Sequence, residues 1–171
     1  FSLAAGDFDG DGRDDLAFGV PFENFGFNDS GVVHVLYGTS SGLGDVGGQG
    51  WQQNVPGVSS FVEANDRFGY SLTAGDFDGD GRDDLAIGVP YEDENGGPPY
   101  DVGVVHVLYG STGPGLTTTG EDFWGQDYGT VKDTFETDDR FGWALGAGDF
   151  DGDGRDDLTI GAFREDLNGV E

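Results

Sequence analysis

One nine-residue string, Asp-Phe-Asp-Gly-Asp-Gly-Arg-Asp-Asp, occurs three times without a change, from Asp7 to Asp15, from Asp76 to Asp84 and from Asp149 to Asp157. Carboxylates this close repel one another unless a cation sits among them. The D-x-D-G-D-G-x-x-D spacing suits such a cation, because calcium takes about six to eight oxygens at about 2.3–2.6 Å and a short loop must curl to supply them. Positions one, three and five point inward in a loop of this kind: Asp7, Asp9 and Asp11, then Asp76, Asp78 and Asp80, then Asp149, Asp151 and Asp153. Position seven offers only a backbone carbonyl, that of Arg13, Arg82 or Arg155. Position nine, Asp15, Asp84 or Asp157, closes the shell, and three Ca²⁺ sites are expected. Position eight, Asp14, Asp83 or Asp156, is expected to face solvent. An EF-hand is excluded, since that loop needs a bidentate Glu at position twelve between helices. Here position twelve is Phe18, Ile87 or Ile160, within segments that read as strand.

The rest of the chain repeats with the loops, 69 residues from Asp7 to Asp76 and 73 from Asp76 to Asp149. Asp66-Arg-Phe-Gly-Tyr-Ser-Leu72 matches Asp139-Arg-Phe-Gly-Trp-Ala-Leu145. After the loops come Asp15-Leu-Ala-Phe-Gly-Val-Pro21, Asp84-Leu-Ala-Ile-Gly-Val-Pro90 and the looser Asp157-Leu-Thr-Ile-Gly-Ala162. Gly31-Val-Val-His-Val-Leu-Tyr-Gly38 recurs unchanged from Gly103 to Gly110, and Trp51-Gln-Gln53 answers Trp124-Gly-Gln126. Each unit thus holds four short runs of β-branched, aliphatic and aromatic residues between Gly, Asp, Pro and Ser clusters, with no helical period. Four antiparallel strands are one blade of a β-propeller, with the acidic loop joining strand one to strand two.

The Phe-Gly pair, the acidic loop and the Gly-Val-Pro element together resemble FG-GAP repeats, as in the propeller of integrin α subunits. The Val-His-Val-Leu-Tyr-Gly and Asp-Arg-Phe-Gly elements are more similar still to FG-GAP proteins exported by bacteria. That resemblance implies an all-β fold of propeller blades whose loops bind Ca²⁺ on one face. The repeats are placed at 1–65, 66–138 and 139–171, about two and a half blades, the first lacking its Arg-Phe-Gly start and the third its later strands. Integrin-like propellers close with seven blades, so an incomplete ring with open strand edges is expected, and such edges invite another chain. Departures are small: Pro21 and Pro90 follow Val, and Phe163 stands where Pro is expected.

Net charge is −27, with only seven Lys and Arg, three of them in the loops, which leaves no basic surface for a nucleic acid. No stretch reads as a membrane span, and without cysteine there is neither disulfide nor thiol chemistry. His34 and His106 occupy equivalent strand positions and are read as packing or hydrogen-bonding residues. Glu23, Glu92 and Glu165 recur after the second strand and are read as solvated, with support of a neighbouring metal site as the alternative. Trp51, Trp124 and Trp143, with Tyr37 and Tyr109, fill the wedge between blades or else form a sugar-stacking platform. Asn28-Asp29-Ser30 is a glycosylation sequon on a surface loop, and the loop from Glu92 to Asp101 is longer than its first-repeat counterpart. No Ser-His-Asp set, phosphate loop or carboxylate pair outside the loops nominates a catalytic residue, so no enzymatic role is expected.

The expected function is an extracellular or cell-surface calcium-binding module for adhesion, with a protein or glycan at the surface or matrix as partner. Three alternatives remain open. One is a filament subunit joined through open blade edges. Another is a lectin-like glycan binder, and the last is a non-catalytic arm of a secreted hydrolase.

Overall fold

A computed structural model describes residues 1–93, 96–113, 115–127 and 134–164. Ten strands follow one another: β1 (Ser2–Gly6), β2 (Asp15–Val20), β3 (Val32–Thr39), β4 (Gly42–Trp51), β5 (Ser71–Gly75), β6 (Asp84–Val89), β7 (Val104–Tyr109), β8 (Thr117–Trp124), β9 (Phe141–Gly148) and β10 (Asp157–Ala162). They form antiparallel sheets of order β1-β2-β3-β4 and β5-β6-β7-β8 and a β9-β10 hairpin, which is the incomplete all-β propeller expected. No helix occurs among the described residues, so none is long and apolar enough to cross a membrane.

The sheets stack face to face, with β1 beside β5 and β5 beside β9. The first junction buries Val33, Val35, Tyr37 and Trp51 against Leu72, Ile87, Val89, Val104 and Leu108. The second buries Ala86, Val105, Val107 and Phe141, with Leu158 and Ile160 packed alongside. Stacking explains why one strand sequence shows three burial patterns. β6, covered on both faces, is buried at every residue, whereas β2 buries alternate residues and β10 only half-buries them, because each has an open face. A central blade therefore hides the period-two pattern that a half-covered strand displays.

The family of glycines in the repeat answers to this stacking. A side chain on Gly19 or Gly88 would run into the carbonyl of Gly69 or Gly142 on the next blade. Ser2 and Ser71 donate to those same carbonyls, at 2.7 and 2.6 Å, so the backbones are stitched where they touch. At the strand ends away from the acidic loops the aromatic residues run in series, Phe1 on Tyr70, Tyr70 on Trp143 and Trp143 on Phe163, with centroids 5.0, 4.7 and 4.6 Å apart. Arg67 lies over Tyr91 and Arg140 between Tyr91 and Trp143, so the two arginines of Asp-Arg-Phe-Gly serve packing there.

Candidate metal centres

Each acidic loop is the turn of a hairpin whose neck is a strand pair, Gly6 with Asp15, Gly75 with Asp84 and Gly148 with Asp157. Position one folds the loop about itself. Asp7 accepts from the amides of Asp11 and Gly12 at 3.0 and 2.8 Å, and Asp76 from those of Asp80 and Gly81 at 3.0 and 2.9 Å. Asp149 does the same toward Asp153 and Gly154, both at 3.1 Å. Position nine is held from behind: Asp15 accepts from Phe8 at 2.9 Å and Gly38 at 2.7 Å, and Asp84 from Phe77 at 2.9 Å and Gly110 at 2.8 Å. Asp157 accepts from Phe150 at 2.9 Å. Burial pushes the Asp84 carboxyl up to about 7, against the downward pull of those amides, and Asp15 shifts in the same direction for the same reason.

The outcome is three matching groups, Asp7, Asp9 and Asp15, then Asp76, Asp78 and Asp84, then Asp149, Asp151 and Asp157. In each, one carboxylate oxygen per residue lies within 4.8 Å of the others. Ligands about 2.3–2.6 Å from one ion can be no farther apart than roughly twice that distance, so the groups fit a single hard, oxygen-seeking cation. Position five stands apart. Asp11 and Asp80 turn to the guanidinium of their own loop, Arg13 and Arg82, both at 2.5 Å, and Asp153 accepts from the Arg155 amide at 2.9 Å.

Position eight corrects an expectation. Asp14 is exposed as expected, but Asp83 and Asp156 are half-buried, each turned toward the preceding loop. The Asp7 amide donates to the Asp83 carboxylate at 2.8 Å, and the Asp76 amide to Asp156 at 3.2 Å. Only a loop that follows another blade has such a neighbour to bond. Phe8, the single apolar residue of its loop, was also not singled out, yet it is fully buried in the first junction. Its isolation among acids was the available signal.

Among the other candidates, Glu23 is exposed, whereas Glu92 is 6% exposed, which overturns its reading as a solvated loop residue. The preceding repeat covers it: Gln53 Nε2 donates to Glu92 at 2.5 Å and to Ser60 at 3.1 Å, and the buried Asp66 sits close by. Burial, then the nearby Asp66 charge, pushes Glu92 up to about 9, and burial pushes Asp66 up to about 7. Glu165 lies outside the described residues, as do positions 94 and 95 of the longer loop. His34 is exposed, while His106 is fully buried between Phe68 and Phe123 and its Nδ1 bonds Glu121 at 2.7 Å. Burial raises the Glu121 carboxyl, but bonds from His106 and Ser59 outweigh it and leave that group below its ordinary value. Trp51 is buried in the first junction, Trp124 packs against the second and Trp143 belongs to the aromatic series. Asn28 is exposed.

The FG-GAP repeat family profile matches residues 1–36, 68–108 and 141–170, one stretch for each loop. Among curated proteins, the chain is similar to the phosphatidylinositol-glycan-specific phospholipase D of Rattus norvegicus, 34% identical over 165 residues, covering 92% of this chain and 18% of the relative. It is also similar to integrin alpha-PS2 of Drosophila melanogaster, 32% identical over 173 residues, covering 97% of this chain and 11% of the relative. Integrin alpha pat-2 of Caenorhabditis elegans is 33% identical over 178 residues, with 95% and 12% covered. The chain spans less than a fifth of the length of these relatives.

Proposed function

This chain belongs to the FG-GAP repeat family, and on that premise we propose that it is an extracellular, adhesion-type module whose three acidic hairpin loops bind calcium. The observation that carries the reading is the threefold recurrence of one carboxylate trio, at positions one, three and nine, in loops of identical sequence. Asp7, Asp9 and Asp15 would hold the first ion, Asp76, Asp78 and Asp84 the second, and Asp149, Asp151 and Asp157 the third. The carboxylates of Asp11, Asp80 and Asp153 and the carbonyls of Arg13, Arg82 and Arg155 complete the proposed ligand sets. A bound cation supplies charge neutralisation within each loop. The chain's own contribution is the rigid neck and the backbone donors that set position nine in place beforehand.

The three repeats are assigned to 1–65, 66–138 and 139–171, each containing one family match. The integrin names among the relatives support a protein partner at the cell surface or matrix, and the phospholipase name supports the alternative of an arm attached to a secreted hydrolase. A catalytic role for this stretch is not proposed. The lectin-like reading draws less support, because Trp51 is buried and Trp124 half-buried in blade junctions.

Calorimetric titration of the metal-free chain tests this reading, with three calcium equivalents expected. Asp78→Ala removes a ligand from the middle loop only and should leave two equivalents. Three full equivalents in that variant would refute the ligand assignment, and no uptake by the parent chain would refute the function.

A further inference from the structure

Adjacent acidic loops are fastened to each other by a residue that belongs to neither ligand trio. The Asp83 carboxylate accepts the Asp7 amide at 2.8 Å, and the Asp83 amide donates to the Asp7 carbonyl at 3.1 Å. The pattern repeats between Asp76 and Asp156, at 3.2 Å for the carboxylate and 2.9 Å for the carbonyl. Asp7 is position one of the first trio, while Asp83 is covalently joined to Asp84, position nine of the second. One residue therefore links the backbone of one candidate site to the backbone of the next.

The surroundings leave this bracket little slack. A side chain on Gly6 would strike the Asp83 side chain, and one on Gly75 would strike that of Asp156. The stem of Arg82 lies over Gly10 and that of Arg155 over Gly79, so positions seven and eight of each later loop cover positions one to four of the earlier. Arg82 is itself tied to Asp80, so the covering segment moves with the second loop. Ser111, just beyond β7, adds a bond to the Phe8 carbonyl at 3.2 Å.

We propose that Asp83 and Asp156 are positioning residues that couple neighbouring sites, so that the loops take up divalent cations cooperatively along the chain. This inference rests on the calcium reading above. Ordering the second loop fixes Asp83, and Asp83 fixes the amide from which the Asp7 carboxylate is projected. Closure of one loop thus lowers the ordering cost of the next, and linkage makes the effect reciprocal. Asp14 is the internal control: it has the same sequence position and the same charge, but it is exposed and brackets no other loop among the described residues.

The test is a calcium titration of the full chain followed at the backbone amide resonances of Gly12, Gly81 and Gly154, one for each loop. In the parent, Asp78→Ala should move the Gly12 midpoint to about fivefold higher calcium or more, the lower end of ordinary coupling between sites. In an Asp83→Ala background the same Asp78→Ala change should leave the Gly12 midpoint where it was. In an Asp14→Ala background the coupling should persist. Asp83→Asn keeps an acceptor oxygen and loses the charge, so coupling should persist there too, and that variant guards against misfolding of Asp83→Ala. The inference is overturned if Asp78→Ala leaves Gly12 unmoved in the parent, if coupling survives Asp83→Ala, or if Asp14→Ala or Asp83→Asn abolishes it. Loops that respond to calcium independently would sink the coupling alone, whereas loops that do not respond at all would sink the calcium reading with it.

Discussion

Phe8, Phe77 and Phe150 hold the same place in the same nine-residue string, yet Phe8 is fully buried, Phe77 half-buried and Phe150 67% exposed. Their surroundings differ because a following blade covers the first completely and the third not at all. The convergence of carboxylates one, three and nine was legible in the sequence, since it is set by spacing within one loop, whereas position five, expected among them, stands apart. Asp83, Phe8 and Glu92 were not, since their partners lie about seventy residues or half a repeat away and only stacking brings them in. Glu92 yields a prediction at this scale. Burial raises its carboxyl, so the folded chain keeps a proton that the unfolded chain releases. Stability from this group is then complete below the ordinary carboxylate range and is lost as pH climbs through the window up to about 9. Glu92→Gln mimics the protonated form at every pH. Without calcium, the variant should melt several degrees above the parent at pH 9 and within a degree or so of it near pH 4. Parallel melting curves across that range would show that Glu92 carries no such cost.

Among elements, the hairpins and four-stranded blades followed from motif order, because strand sequence, turn chemistry and repeat length all pointed to one unit. Less legible was which glycine matters. Gly88 and Gly161 occupy equivalent places in β6 and β10, and both follow an isoleucine. A methyl on Gly88 would collide with the Gly142 carbonyl and the Ser71 hydroxyl, whereas one on Gly161 meets only Ala144 at ordinary contact distance. Gly88→Ala must therefore pry apart a backbone contact between blades, and should cost about 1–3 kcal/mol, as overpacking usually does. Gly161→Ala should stay within about 0.5 kcal/mol, the range of substitutions that touch nothing special. Chemical denaturation of the two variants decides the matter, and equal losses would mean that the glycine serves strand geometry and not blade packing.

At the scale of the whole molecule, the −27 charge opposes compaction through self-repulsion, and fifteen of the 34 acidic residues are the five in each of three loops. Two remedies exist, general screening by salt and local neutralisation by bound ions, and they differ in what they demand of geometry. Screening acts on every exposed charge, but it largely removes only repulsions longer than a Debye length, about 8 Å at physiological ionic strength, and leaves the closer carboxylates of one loop repelling each other. Three divalent ions would offset only six charges, a small part of the total. Their leverage comes from placement, because each would sit where three carboxylate oxygens already lie within 4.8 Å. Binding to the folded loops alone stabilises by mass action, about 2.7 kcal/mol per site when free calcium is a hundredfold above the dissociation constant. For a chain of this size that is about 5–10 °C in Tm per site. Millimolar calcium should therefore raise the melting temperature well beyond sodium chloride of matched ionic strength, and EDTA should reverse the gain. If sodium chloride reproduces the whole rise, the loops act only as diffuse charge. If calcium alone produces it, the trios are the sites, and the acidity of the fold is tolerated because its densest charge is neutralised in place.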